Sequence, residues 1–262
     1  MNTKLKAILC NDDGINAPGI YNLFEALHDH VDITIVAPAE DQSCKGLGIS
    51  IPRSGYIEAE KVAWANGVES WKVFGTPADC IKFALHYLVK QPPNFIISGI
   101  NNGSNAGRNI MYSGTVGAVI QGTFCNVPGI AFSCTYDDDV EKFKNAQQYI
   151  LKIVNHFHKH KMPKGTLINV NFPTYIEGKT VGIKMAKQGK SYWNGRIGSD
   201  VKLKGTNKYP ILDSWDMHDE SEDSDIYLLT QGYITCAPIH VEDLTDHIHH
   251  KQHKEEFEKV FL

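Results

Sequence analysis

The chain has 262 residues, 42% of them hydrophobic and 21% charged, an ordinary balance for a globular protein long enough to bury one large core. Its formal net charge of −4 provides no basic field, which argues against a nucleic-acid polymer as partner. No apolar stretch reaches membrane-spanning length and nothing before Leu5 resembles a signal peptide, so no membrane association is expected. The six cysteines are scattered without a Cys-x-x-Cys pair, a pattern that suits a reducing compartment and predicts a cytoplasmic protein.

In chain order, short apolar runs alternate with helical patterns. Strands are predicted at 5–10, 33–37, 71–74, 95–98, 129–133 and 167–170, and helices at 19–28, 78–89, 116–124 and 140–158. Such alternation implies βαβ units, hence an α/β protein with a mainly parallel sheet covered on both faces. After about residue 187 the texture changes. Residues 189–209 mix Gly, Lys and Asn with Tyr192, Trp193 and Tyr209 and show no helical period, and 213–223 form an acidic stretch that reads as a solvated loop. Regular structure resumes at 226–229 and 232–239, and a charged helix closes the chain. Aromatic side chains on a polar, extended arm suggest contact with another subunit, because an isolated hairpin buries too little to be stable alone.

The first strand stops at Asn11-Asp12-Asp13-Gly14. Alone, this tetrapeptide reads as a turn in water. Two adjacent carboxylates at a strand end nevertheless repel each other and resist burial, and a hard divalent cation relieves both costs. In an open parallel sheet, ligands bind beyond the carboxyl ends of the strands. There the sequence places Ser43 after the second strand and Asn101 after the fourth. Asp12, Asp13, Ser43 and Asn101 thus make an all-oxygen set for a metal ion. Two carboxylates neutralise a divalent charge, which leaves room for water and a ligand oxygen.

An anion reaching such a site needs further donors. Tyr112-Ser113-Gly114-Thr115-Val116 reads as a glycine turn opening a helix of small residues. It is either an ordinary capped helix or, beside a metal edge, a phosphate cradle of backbone N–H groups. By contrast, Gly75-Thr76-Pro77-Ala78-Asp79 is explained by helix initiation alone. The glycines at 103 and 107 do not make a dinucleotide fingerprint, since they neither follow the first strand directly nor open a helix. The histidines at 247, 249, 250 and 253 include helical spacings, but no third ligand is fixed, and a solvated terminal helix is the expectation.

These motifs together resemble the SurE family of stationary-phase survival proteins. The likeness rests on Asn11-Asp12-Asp13-Gly14-Ile15 with Ala17-Pro18-Gly19-Ile20, on Ala37-Pro38 with Ser43, and on Gly75-Thr76-Pro77-Ala78-Asp79-Cys80. Ser98-Gly99-Ile100-Asn101 with Gly103 and Asn105, and then Tyr112-Ser113-Gly114-Thr115-Val116, complete the order; Asp225 through Gly232-Tyr233-Ile234 and Thr235-Cys236-Ala237-Pro238 extend it. The resemblance implies a 5'-nucleotidase, often also a 3'-nucleotidase, that hydrolyses nucleoside monophosphates, with polyphosphate trimming in some members. It implies one divalent ion per subunit, usually Mg2+ or Mn2+, on residues matching Asp12, Asp13, Ser43 and Asn101. It also implies a Rossmann-like three-layer core, here 1–187, and a C-terminal β-hairpin arm with a returning strand and terminal helix, here 188–262. That arm is exchanged between subunits in homodimers or homotetramers. The chain departs from the family at Cys44-Lys45-Gly46-Leu47-Gly48-Ile49-Ser50, where many members are rich in glycine and serine. Lys45 there is either a solvated lysine or a phosphate contact.

The chemistry expected of such a site is in-line attack at phosphorus by a metal-activated water. Asp12 and Asp13 serve as ligands and one of them as proton acceptor, while Asn105, Ser113, Gly114 and Thr115 hold the phosphate. Competing readings are an aspartyl-phosphate phosphatase, which usually wants Asp-x-Asp at the strand end, and a zinc deacetylase, which lacks its preceding histidine here. A phosphatase of other small esters and a nucleotide-binding regulator without turnover complete the alternatives.

Overall fold

The structure, a computed structural model, describes residues 4–50, 55–135, 141–174, 181–198, 203 and 206–260. Its centre is a nine-stranded sheet. Strands β1 (Leu5–Cys10), β2 (Val31–Pro38) and β4 (Glu69–Val73) run outward in one direction, with β3 (Ala59–Val62) antiparallel at that edge. On the other side of β1 lie β5 (Phe95–Asn102), β6 (Gly129–Cys134) and β7 (Thr166–Phe172), all parallel to it. The expected mainly parallel α/β sheet is therefore present. Its order reverses between β1 and β5, and this reversal opens a crevice at their carboxyl ends.

The parallel strands are apolar on both faces because helices cover both. Helices α1 (Pro18–Glu25) and α4 (Glu141–Lys159) pack on one side with Leu9, Ile35, Ile97 and Phe132. On the other side, α2 (Pro77–Phe83) and α3 (Gly114–Phe124) pack with Ile8, Val36, Ile96 and Ala131. A helix reaching 89 was expected; instead α2 ends at Phe83 and continues as a wider π-turn, Ala84–Leu88. The expected start of the fourth helix, Val140, lies outside the described residues. Glycines let α3 sit close to its neighbours: a Cβ on Gly117 would come 2.9 Å from the Gly46 carbonyl oxygen.

Beyond β7, the edge strand β8 (Gly182–Met185) leads into a thin antiparallel ribbon. Its rungs are β9 (Tyr192–Trp193) with β12 (Trp215–Asp216) and β10 (Arg196–Ile197) with β11 (Ile211–Leu212). Part of this stretch (199–202 and 204–205) lies outside the described residues. The short helix α5 (Asp225–Thr230) then brings the chain back, and β13 (Tyr233–His240) enters the core sheet between β7 and β8. The closing helix α6 (His247–Lys259) buries none of its side chains.

Candidate functional site

The crevice at the sheet reversal is built from the ends of β1, β2 and β5 and the start of α3. Asn11, fully buried, donates from its amide to the Gly14 carbonyl at 2.8 Å and so braces the turn that presents Asp12 and Asp13. Two backbone bonds tie this turn to the next loop: Gln42 N–H to the Asp12 carbonyl at 2.7 Å, and Ile15 N–H to the Pro38 carbonyl at 2.9 Å. Ser43 comes directly after, exposed, with its hydroxyl donating to Asp41 Oδ1 at 2.5 Å. A serine oxygen that donates keeps its lone pairs, so it remains an acceptor for a cation.

Asn101 was expected just past its strand, yet β5 continues through Asn102. A register shift between Ser98 and Asn101 allows this, and Gly99 at φ +122° supplies the backbone conformation it needs. The Asn101 amide group donates to the Gly103 carbonyl at 2.8 Å, a bond that uses its nitrogen and not its Oδ1.

The two aspartates differ sharply in surroundings. Asp12 is 3% exposed, and both the hydroxyl and the backbone N–H of Thr115 donate to its carboxylate. Burial still pushes its pKa upward, against the pull of those bonds. Asp13 opens onto a cleft of about 480 Å3 that it shares with Asp41, Asn102 and Lys142. Its pKa is pushed up to about 7, first by burial and then by the charges of Asp12 and Asp41, while the Asn102 backbone N–H and Lys142 pull the other way. A larger hollow of about 750 Å3 at the opposite end of the sheet is lined by His28, Asp32 and Glu69 and receives none of these strand-end groups.

Ser113 caps α3 by accepting the Val116 N–H at 3.1 Å. Gly114 sits directly against the first aspartate: a Cβ there would stand 2.7 Å from Asp12 Cβ and 2.9 Å from its Oδ2. The α3 N-terminus therefore faces the aspartate pair, with Thr115 fully buried and engaged on Asp12. Asn105 is buried too. Its amide donates to the Ser133 hydroxyl at 2.8 Å, and its backbone N–H donates to Asn171 Oδ1 at 2.8 Å. The structure thus gathers Asp12, Asp13, Ser43, Asn101, Asn105 and Ser113–Thr115 around one sheet edge.

Lys45, exposed, donates to Gln42 Oε1 at 2.8 Å. Its loop is secured elsewhere, by Gly46 N–H to the Tyr112 carbonyl at 3.0 Å and by Ser50 N–H to the Asp79 carboxylate at 3.0 Å. Asp79 also completes the capping box with Thr76, the helix-initiating role read from the sequence. The sequence reading missed Lys142. Buried at the start of α4, it donates to Asn102 Oδ1 at 2.5 Å. A buried lysine in the first turn of an otherwise amphipathic helix was the available signal, since lysine is almost never buried without a partner. At the other end of the chain, the His249 and His253 ring centroids lie 4.4 Å apart on α6 with their planes tilted by 39°, and no group of three His, Cys, Asp or Glu forms a metal cluster among the described residues.

The donor set at the crevice suits a hard divalent cation. Two adjoining carboxylates, Asp12 buried and Asp13 half-buried, repel one another, and neutral side-chain oxygens of Ser43 and Asn101 stand beyond the neighbouring strands, a set of oxygen donors alone.

Residues 7–195 match the family model described as Survival protein SurE. The chain is 42% identical to the 5'-nucleotidase SurE of Protochlamydia amoebophila over 98% of both chains. It is 35% identical to that of Clostridium botulinum over 98% of this chain and all of the relative. Among solved structures, the SurE protein of Aquifex aeolicus superposes with a TM-score of 0.82 at 30% identity, covering 96% of this chain and 99% of the other. With strand-end chemistry, fold and near-full-length similarity in agreement, the chain belongs to the SurE family of survival proteins.

Proposed function

We propose that this chain is a divalent-metal-dependent 5'-nucleotidase that hydrolyses nucleoside monophosphates to nucleoside and phosphate. The observation that carries the reading is the pairing of a buried carboxylate, Asp12, with a cleft-facing one, Asp13, at the sheet reversal, and the start of α3 packed against Asp12. The names of the relatives, 5'-nucleotidase SurE in each case, supply the reaction class.

Asp12, Asp13, Ser43 and Asn101 would hold the ion. When bound, it supplies Lewis acidity toward a phosphoryl oxygen and acidifies a water. Thr115 immobilises Asp12 by two donors, which suits a group that only anchors. Asp13 faces the cleft, and its carboxyl is pushed to about 7, so it is the carboxylate we assign to accepting the proton of the attacking water. Ser113 caps α3 and orients its first turn, Gly114 contributes a backbone N–H, and Asn105, in the loop after β5, completes the phosphate contacts. Activity on nucleoside 3'-monophosphates and short polyphosphates belongs to the same proposal.

The ion is Mg2+ or Mn2+ in this reading, and six unpaired cysteines support a reducing, cytoplasmic setting. No helix among the described residues is long and apolar enough to cross a membrane. The ribbon from 192 to 216 exposes Trp193, Ile211, Leu212 and Trp215, apolar surface that supports its assignment as the arm joining subunits into homodimers or homotetramers.

The test is phosphate release from AMP with Mn2+, abolished by a chelator and restored by added metal. A panel of 5'- and 3'-monophosphates and short polyphosphates crossed with Mg2+, Mn2+, Co2+ and Zn2+ then fixes substrate and ion together. No phosphate release under any combination would refute the enzyme and leave a nucleotide-binding regulator. A single turnover in 18O-water separates direct attack from an aspartyl-phosphate route, which would yield a trappable acyl-phosphate.

A further inference from the structure

We infer that Asp225 is a positioning residue for the phosphate-binding loop: its carboxylate fastens Gly107 to Gly189, and so sets where Asn105 and Ser113 stand relative to the aspartate pair. The inference rests on the nucleotidase reading above and deepens it. Asp225 is fully buried at the start of α5, far in sequence from every strand-end residue. Its Oδ1 accepts the Gly189 N–H at 2.7 Å and the Ile226 N–H at 2.8 Å, and its Oδ2 accepts the Gly107 N–H at 3.1 Å. One side chain thus holds together three separate pieces of chain. A carboxylate that satisfies three backbone donors in the interior resists displacement, because each donor left unmade costs its own desolvation.

The clasped segment is the one that matters to the anion. Residues 103–112 link Asn101, assigned to the ion, to Ser113, assigned to the phosphate, and carry Asn105 between them. From the other side, Gln188 Nε2 donates to the Gly107 carbonyl at 2.5 Å and to the Asn105 carbonyl at 3.4 Å. Further along, Arg108 N–H bonds the Ser191 carbonyl at 3.2 Å and Trp193 N–H bonds Asn109 Oδ1 at 2.8 Å. Gly107 has φ +59°, and a Cβ there would strike the Ser191 carbonyl oxygen, so the segment is pressed close against the root of the ribbon.

Of the groups assigned to the ion, Asn101 is fixed on Gly103 at the far end of this segment from Gly107, and the other three take supports outside it. Asp12 and Asp13 depend on Asn11, Gln42, Thr115 and Asn102, and Ser43 depends on Asp41. Loosening Gly107 should therefore shift the anion contacts and spare the ion. The same clasp joins the phosphate loop to residues 189–193, where the ribbon begins, and gives the arm a mechanical path to the site.

The test compares wild type with Asp225→Asn, whose amide nitrogen would turn a donor toward the Gly107 or Gly189 N–H. Mn2+ affinity of the metal-free protein and phosphate affinity in the presence of Mn2+ are read calorimetrically, and kcat and KM are read on AMP. Expected is a rise of about tenfold or more in the phosphate dissociation constant and in KM, with Mn2+ affinity within about twofold of wild type. Mn2+ affinity falling in step with phosphate affinity, or phosphate affinity unchanged, would overturn the inference. Should Asp225→Asn not fold, Gln188→Ala carries the test from the half-exposed side of the same loop. A severalfold weaker phosphate affinity at constant Mn2+ affinity supports the clasp, and no change refutes it. Phosphate binding needs no turnover, so failure of the clasp is distinct from a wild-type chain that hydrolyses no nucleotide.

Discussion

Gly114 sits where the geometry of the site is least forgiving, and Gly114→Ala probes it with a single methyl group. The new Cβ would stand 2.7 Å from Asp12 Cβ, whereas carbon atoms in contact rest about 3.5–4.0 Å apart. Either the carboxylate or the first turn of α3 must retreat by about 1 Å. Asp12 cannot turn aside without breaking its two bonds from Thr115, so the pair and the helix start separate. A misplacement of about 1 Å at a reacting centre costs on the order of 100-fold in rate, or about 2.7 kcal/mol of transition-state stabilisation. Stability should change by no more than a similar amount. Overpacking costs about 1–3 kcal/mol, and replacing glycine at a helical position returns up to about 1 kcal/mol. A melting temperature within about 8 °C of wild type is therefore expected. Steady-state phosphate release from AMP, with thermal melts of the metal-free protein, reads both quantities. A kcat/KM within threefold of wild type would show that Asp12 and the α3 start are not a coupled unit.

The state of Asp13 makes metal binding pH-dependent. With its carboxyl pushed up to about 7, the ion must displace a proton at lower pH, so Mn2+ affinity should fall about tenfold per pH unit below 7 and level off above it. An affinity flat from pH 5 to 8 by calorimetry contradicts this. Asp13→Asn should reduce turnover by orders of magnitude and leave the fold intact, and near-normal hydrolysis would remove Asp13 from the mechanism. The same variant carries a stability signature. The folded-state pKa of Asp13 lies above the ordinary value of 3.8, so its contribution is fully present at acid pH and is lost as pH rises through about 7. In the metal-free protein, Asp13→Asn should therefore melt progressively higher than wild type as pH rises from 3.8 to about 7 and by a constant margin above that, and a difference that shrinks with pH would reverse the assignment. Asp79→Ala removes the capping box and the acceptor for Ser50 N–H; a loss of about 1–3 kcal/mol by chemical denaturation is expected, and a loss under about 0.5 kcal/mol would mean the loop is held elsewhere.

The range of an interaction decides whether the sequence discloses it or hides it. Buried parallel strands such as Leu5–Cys10 and Gly129–Cys134 are visible as apolar runs because both faces are covered. The edge strand Ala59–Val62, with its pattern Ala-Glu-Lys-Val, is half solvated and leaves no such trace. The sheet topology also makes the candidate site legible: ligands of open sheets bind past strand ends, and Asp12 and Asp13 follow β1 closely while Ser43 lies further along the loop after β2. Asn101 falls slightly outside that rule, because Gly99 permits a shift in register and the strand resumes. The supports of these groups obey no local rule at all. Thr115 reaches Asp12 across 103 positions, and Asp225 reaches Gly107 across 118. The sequence marks Thr115 as part of a helix start and Asp225 as the head of the C-terminal pattern, but neither segment alone names the partner its side chain finds. The first layer of such a site is therefore written in composition at strand ends. The layer that fixes its geometry is written in the pairing of distant helix starts, and only the folded chain brings those into contact.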